Sequence, residues 1–315
     1  MIPVCVVIPA YNAERVLRRS IEGVLNQTVS PAAIIVVDDG SVDDTSRIAH
    51  GYGPAVTCIR QDNAGVSRAR NRGITSASAE WVAFLDADDE WLPHKLEDQW
   101  KILTRNPELM WCGTTAELVF AERTEVPKVA SDLLAALDRV EPVPFFSSAL
   151  HGLCLQTSGF LIRRTVFQEV GMFDPTLRVV QDRDLWWRIA MKYPLLGYSP
   201  RAGYRWYVDT PGSLTKQAKD RTQSLQALCD NMRRATELGG EIAQAFRRYG
   251  RVLALDYLMR DATREISLSP PVVADASTLF RVTAAERLGR RSLKLLPAKL
   301  ARPLGRALWP YHGVS

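Results

Sequence analysis

Asp86 and Asp88 stand two residues apart directly after the apolar run W-V-A-F-L at 81–85, so a chain turning out of a buried strand brings both carboxylates to one point. That arrangement suits a hard divalent cation. Mg2+ or Mn2+ takes one or two protein carboxylates and keeps its other positions for water and substrate phosphates. Two plainer readings compete. In an EF-hand register Asp86 would be position one and Glu97 position twelve, but Trp91 occupies the place of the glycine that makes the sharp turn. Acids that merely end a strand at the surface need no function.

Two further segments carry candidate chemistry. V-V-D-D-G-S-V-D-D-T at 36–45 ends a strand on carboxylates and opens a helix, with Ser41 or Asp43 available as N-cap. Asp39 there can accept the ring N–H of a base, which favours uracil or thymine over guanine. A turn plus a cap is the plain alternative. Q-D-N-A-G-V-S-R-A-R-N-R-G at 61–73 puts Asn63 and Gly65 in a turn and Arg68, Arg70 and Arg72 on the opening turns of a helix, where arginine can fork onto phosphate. No helix-opening G-x-G-x-x-G follows the first strand and no Walker lysine is present, so phosphates are expected to be held by metal and arginine.

The elements that must position these residues alternate. V-C-V-V-I at 4–8, A-I-I-V-V at 33–37, V-T-C-I at 56–59 and the run at 81–85 are short and continuously apolar, as buried parallel strands require. Helices are expected between them at 14–25, with Val16, Ile21, Val24 and Leu25 inward and Arg15, Arg18, Arg19 and Glu22 solvated, and at 66–76. Such alternation predicts a parallel sheet with helices on both faces and ligands at the carboxyl ends of its strands. Beyond it, a helix is expected at about 95–105, short strands in 110–165 and a helix at about 182–193. From about 215 the period is helical until Pro270-Pro271, which reads as a linker.

Taken in order and spacing, V-V-I-P-A-Y-N-A-E, V-V-D-D-G-S-V-D-D-T, D-N-A-G-V-S-R-A-R-N-R-G-I and F-L-D-A-D-D-E-W closely resemble the family 2 glycosyltransferases over residues 1 to about 100. The resemblance implies the α/β GT-A fold, a Rossmann-like, mostly parallel sheet with helices on both faces, here followed by a helical C-terminal appendage. It implies that Pro9, Tyr11, Asn12, Glu14, Asp39 and Arg70 line a nucleotide-sugar pocket, with Asn63 and Gly65 as further donor-site candidates. Asp86-Ala87-Asp88 is then the family's D-x-D metal motif, binding Mn2+ or Mg2+.

The match runs on more loosely to about 210. T-S-G-F-L-I-R-R-T-V-F-Q-E-V-G-M-F-D-P-T-L at 157–177 looks like the acceptor-side strand and turn, and V-V-Q-D-R-D-L-W-W-R-I-A at 179–190 stands where the family has its catalytic E-D segment. Gln181 replaces the glutamate. Asp182 is the candidate base and Asp184 its reserve; the plain reading is a helix start, with acids near its positive end and Trp186, Trp187 and Ile189 as core. The resemblance implies a single displacement with inversion; Asp39 favours a UDP- or dTDP-sugar donor, and the expected acceptor is a sugar, or a lipid-linked one if the basic tail meets membrane, in surface polysaccharide or glycoconjugate synthesis. The expected domains are 1–212, catalytic, divided at 100 into donor and acceptor halves, and 213–315, helical.

Other classes fit less well. A nucleotidyltransferase needs a Gly-rich, basic loop after the first strand, and P-A-Y-N-A-E has neither feature. A D-x-D-x-T phosphatase fails at Glu90, which stands in place of the threonine. A non-catalytic nucleotide-sugar binding module is a further rival, and Gln181 points toward it. The net charge of +5 is concentrated at one end: residues 281–315 hold eight Lys/Arg against the single acid Glu286. That asymmetry argues against a nucleic-acid-binding face. In 288–308, Leu288, Leu296, Leu300, Leu304 and Leu308 alternate with basic residues as in a helix lying on anionic lipid, although Pro297 and Pro303 interrupt it. Five scattered cysteines without a C-x-x-C pair read as reduced thiols, and no leader or 20-residue apolar stretch is evident, so a cytoplasmic protein with peripheral membrane contact is expected.

Overall fold

A computed structural model describes residues 1–208, 220–262 and 265–282. The elements β1 (Ile2–Ala10), α1 (Leu17–Leu25), β2 (Pro31–Asp38), α2 (Thr45–His50), β3 (Thr57–Arg60), α3 (Val66–Ser76) and β4 (Trp81–Phe84) alternate as the sequence predicts. Then come β5 (Glu90–Trp91), α4 (Lys95–Arg105), β6 (Trp111–Val119), β7 (Thr124–Glu125), α5 (Ser131–Asp138), β8 (Val143–Pro144) and α6 (Phe145–Ala149). β9 (Leu161–Arg163), α7 (Thr165–Val170), α8 (Gln181–Lys192) and β10 (Leu195–Tyr207) complete this part.

The strands form one sheet in the order β3-β2-β1-β4-β9-β6-β10-β5, with β7 beside β6 and β8 beside β10. β1 to β4, β6 and β10 run in one direction, while β9 and β5 run in the other. Val4 to Ile8 of β1 are all fully buried, which is what a strand flanked by two parallel neighbours and covered on its faces demands. α3 packs against β1 and β2. Its close approach requires Gly73, where an added Cβ would lie 2.2 Å from Cγ1 of Val7, a branched side chain with no room to yield. The carboxyl ends of β1, β2 and β4 thereby share one rim with the start of α3.

Three expectations about α1 are corrected. The helix begins at Leu17, which is fully buried, and Leu25 is 41 % exposed. Arg19 is half-buried rather than solvated. β10 lies where no strand was expected. Its ladder with β6 is irregular between Ser199 and Tyr204, around Pro200, and Thr114 Oγ1 donates to the Arg201 carbonyl at 2.9 Å in the gap.

The chain folds as two compact units. The first holds Met1–Phe145, Leu153–Thr176 and the described residues from Gln181 to 208; the second holds Phe146–Gly152, Leu177–Val180 and the described residues from 220 onward. The second unit contains α9 (Thr222–Leu238), α10 (Gly240–Ala262) and α11 (Pro270–Leu279), with Leu225, Leu228, Met232 and Phe246 buried. Pro270-Pro271 is not a linker: the pair opens α11, because a proline in the first turn lacks only an N–H that the helix would leave unsatisfied. The basic stretch 288–308 lies outside the described residues. Among those described, no helix is long and apolar enough to cross a membrane. Cys5, Cys112, Cys154 and Cys229 are buried and Cys58 half-buried, all as free thiols.

Candidate active site

Three loops meet at the rim. Asp39 is 3 % exposed, and its Oδ1 accepts Gln61 Nε2 at 2.7 Å and the Ala64 N–H at 2.9 Å, while Oδ2 accepts the Gly65 N–H at 2.8 Å. The carboxylate therefore shapes the turn that carries Asn63 and Gly65. With about four acceptor positions on a carboxylate, one on Oδ2 is left for a ligand donor. Gly40 closes this corner: its φ is +76°, and a Cβ there would sit 2.7 Å from the Asn63 nitrogen, so no other residue fits. Asp38, fully buried, accepts the Ser41 N–H at 2.9 Å and Arg60 Nη1 at 3.1 Å and is spent on holding its own loop.

The loop after β1 is stitched to the loop after β2. The Asn12 N–H donates to Ser41 Oγ at 2.9 Å and its Oδ1 accepts the Val42 N–H at 2.9 Å, with φ at +48°, a region asparagine tolerates. The Ala13 N–H donates to Thr45 Oγ1 at 2.7 Å, and Glu14 Oε2 accepts the Asp44 N–H at 3.2 Å. Neither Ser41 nor Asp43 is the N-cap of α2, a position Asp44 holds; Asp43 accepts the Thr45 N–H at 3.0 Å from the loop before it. Pro9 is buried in β1, whereas Tyr11 stands 53 % exposed at the rim.

The carboxylate turn follows β4. The Asp86 N–H donates to Ser158 Oγ at 3.0 Å, and Asp86 Oδ1 accepts Arg70 Nη2 at 2.6 Å. Arg70 is 4 % exposed, its guanidinium 5.2 Å from the Phe173 ring, and its Nε and Nη1 have no partner among the described residues. The carbonyl of Asp88 accepts Arg19 Nη2 at 2.5 Å, and Arg19 lies 3.6 Å over the Tyr207 ring, which explains its burial. Ala87, nearly buried, gives its carbonyl to Ser20 Oγ at 3.3 Å. Asp89 is 3 % exposed; Ser158 Oγ donates to its Oδ2 at 2.5 Å, and its Oδ1 has no partner among the described residues. Burial, and then the charge of Asp86, push the Asp88 carboxyl up to about 6. Burial and the charges of Asp88 and Asp86 hold Asp89 well above the usual carboxylate range. Three carboxyls on one turn are short of positive charge, which is the condition a bound cation relieves. Among the described residues no group of three His, Cys, Asp or Glu is disposed to hold an ion, so one here would rely on Asp86, Asp88 and oxygens of its ligand.

Of the three arginines of 61–73, Arg70 alone turns inward. Arg68 and Arg72 border a shallow cleft of about 380 Å³ together with Gln61, Asp62, Asn71 and Thr75. In α8, Asp182 is half-buried and its Oδ1 accepts the Arg183 N–H at 2.7 Å. Asp184 is 5 % exposed and accepts Arg188 Nε at 2.9 Å and Nη2 at 2.8 Å, so the reserve candidate is engaged in an ion pair.

Several contributors escape sequence reading. Ser158, fully buried, ties the carboxylate turn to the segment that opens β9, and its carbonyl accepts Trp91 Nε1 at 3.0 Å. Behind Trp91 lies Lys95, 1 % exposed, its Nζ 3.8 Å from the Trp91 ring centroid and 2.8 Å from Gln99 Oε1. Burial pushes the Lys95 ammonium down to about 7. From about pH 7 up to the ordinary lysine value near 10.4, the unfolded chain therefore holds a proton that the folded chain has shed, and stability at this site rises with pH by up to about 1.4 kcal/mol per unit. Below about 7 both states are protonated and the cost of burial is felt in full. Lys95→Met keeps the stem over Trp91 and removes the titration. Thermal melts should show the wild-type Tm climbing relative to that of Lys95→Met between pH 6.5 and 9; parallel curves would mean that Lys95 stays charged.

An open α/β sheet with acids, an inward arginine and an exposed tyrosine at its carboxyl rim defines a GT-A-type protein. The family model described as glycosyl transferase family 2 matches residues 5–171, and this chain belongs to that family. An uncharacterized glycosyltransferase of Rickettsia prowazekii is 32 % identical over 190 residues, 59 % of this chain and 58 % of that protein. The succinoglycan biosynthesis protein ExoW of Rhizobium meliloti is 31 % identical over 201 residues, 58 % of this chain and 61 % of that one. The chain thus spans under two thirds of either relative. The solved structure of S. aureus TarS 1-349 in complex with UDP-GlcNAc superposes with a TM-score of 0.68 at 18 % identity, covering 98 % of this chain and 87 % of that one, which shows the fold.

Proposed function

We propose that this chain is an inverting glycosyltransferase that moves a sugar from a nucleotide diphosphate donor, UDP or dTDP favoured, to an acceptor hydroxyl. Residues 1–212 are its catalytic domain and 213–315 an appendage whose described residues form the helices α9 to α11. The observation that carries this reading is the self-repelling turn Asp86 to Asp89 at the carboxyl end of β4, faced by the buried guanidinium of Arg70. A donor diphosphate with a divalent cation supplies the opposite charges such a turn needs. When bound on Asp86 and Asp88, Mn2+ or Mg2+ would neutralise charge developing on the departing diphosphate.

The chain's own residues do the rest. Tyr11 offers an aromatic face at the rim and Asp39 Oδ2 one acceptor position for the ring N–H of a pyrimidine base. Asn12, Glu14 and Gly65 keep these two in register by their hydrogen bonds. Arg70 holds Asp86 and places a fixed positive charge beside the phosphate position. Asp182 accepts the proton of the acceptor hydroxyl as general base, through the oxygen that Arg183 leaves open. The name of ExoW supports an acceptor in surface polysaccharide synthesis, and the UDP-GlcNAc of the TarS structure supports a UDP-sugar donor. A lipid-linked acceptor and peripheral membrane contact through the basic stretch belong to the same proposal.

The experiment is donor hydrolysis across UDP-, dTDP- and GDP-sugars with and without Mn2+ or Mg2+. Metal-dependent release of UDP or dTDP is the expected result. Metal-dependent release of GDP alone would overturn the base assignment, and binding of UDP without turnover of any donor would favour the binding-module alternative.

A further inference from the structure

Asn71 lies inside R-A-R-N-R-G beside Arg70, yet the donor site makes no use of it. Its side chain pairs with the backbone of Phe173 as a strand would: Nδ2 donates to the Phe173 carbonyl at 2.8 Å and Oδ1 accepts the Phe173 N–H at 3.0 Å. Segment 170–173 is also held by α8. Arg188 donates to the carbonyls of Val170 at 2.6 Å and Met172 at 2.8 Å and is anchored on Asp184 within its own helix. The Phe173 ring completes the link. It lies 5.2 Å from the Arg70 guanidinium, 5.3 Å and edge-on to Phe84, the last residue of β4, and 6.0 Å from Trp186, buried in α8.

We infer that Asn71 is a positioning residue, whose two hydrogen bonds to Phe173 act with those of Arg188 as a joint that sets α8, and with it Asp182, relative to Arg70 and the carboxylate turn. The inference rests on the reading of Asp182 as general base. Its energetic logic is asymmetric: two partly exposed hydrogen bonds contribute modestly to stability, whereas displacing a general base by about 1 Å costs on the order of a hundredfold in rate. Loss of the joint is therefore felt in turnover far more than in folding or donor binding.

The test is Asn71→Ala in the full chain, with Ile74→Val as a control that opens a small gap in the buried face of the same helix. UDP-GlcNAc hydrolysis with Mn2+, in which water stands in for the acceptor, should lose at least about tenfold in kcat in Asn71→Ala. The dissociation constant of UDP, by calorimetry, should stay within about threefold, and backbone hydrogen exchange in peptides covering 172–190 should quicken. Ile74→Val should lower Tm and leave kcat and that exchange unchanged. Wild-type kcat in Asn71→Ala, or an equal loss in Ile74→Val, would overturn the joint. Unchanged exchange over 172–190 would overturn it even if the wild type hydrolysed no UDP-sugar, an outcome that counts against the donor reading alone.

Discussion

Asp182→Asn is expected to lower glycosyl transfer by roughly 10²- to 10⁴-fold while leaving donor binding within a factor of about two, the signature of a lost general base. The variant is close to isosteric. Asn keeps an oxygen to accept the Arg183 N–H, so the opening of α8 is preserved and only the basicity is removed. Asp184 cannot substitute, because its carboxylate is engaged by Arg188 and is 5 % exposed. Asp184→Asn should behave differently: it weakens the ion pair that grips segment 170–173 and lowers Tm, since breaking a buried pair leaves an uncompensated charge. Comparing kcat/KM, UDP dissociation constants and melting temperatures across the two variants separates base from anchor. Near-normal transfer in Asp182→Asn would sink the assignment.

What the sequence discloses about the fold and the site follows from how far apart the interacting residues lie along the chain. β1, β2 and β4 are legible because burial on both faces forces continuous apolar runs, and the acids after them are legible because a strand's carboxyl end must be followed by its own turn. β10 is hidden because Pro200 and the irregular ladder break the pattern by which a strand is found. Arg19 sits on the polar side of its helix by period alone, and only the return of Tyr207 and the Asp88 carbonyl draws it in. Ser158 and Asn71 are short polar residues whose importance lies in partners more than sixty positions away. Asp39 illustrates the middle case. Its residue type suggests a ligand acceptor, and the fold shows that three of its acceptor positions already organise the loop of Asn63 and Gly65.

Asp88→Asn should move activity and stability in opposite directions. In the metal-free chain, Asp86 and Asp88 share one turn with the buried Asp89, and burial, followed by the repulsion of Asp86, raises Asp88 to about 6. Replacing Asp88 with a neutral residue of the same shape removes that repulsion, so without metal the variant should melt at or above the wild-type temperature at pH 7.5. Asp86→Ala is the poorer probe, because it strips the 4 %-exposed Arg70 of its carboxylate and destabilises the chain through an unpaired buried charge. Saturating Mn2+ reverses the order. An ion bound to the folded state alone stabilises it by about 2.7 kcal/mol at a hundred times its dissociation constant, a gain the wild type should show in its melting curve and Asp88→Asn should lose. Metal-dependent turnover should fall with it by about a hundredfold or more, as several kcal/mol of leaving-group stabilisation disappear. Melting curves and donor hydrolysis recorded with and without Mn2+ on the same two proteins make the comparison. If Asp88→Asn keeps the full metal-induced rise in Tm, the ion is held elsewhere; if it loses the rise but keeps turnover, the reaction does not depend on the ion. A stability gained where activity is lost is what a site built from like charges predicts, since the repulsion that weakens the empty turn is what draws its cation in.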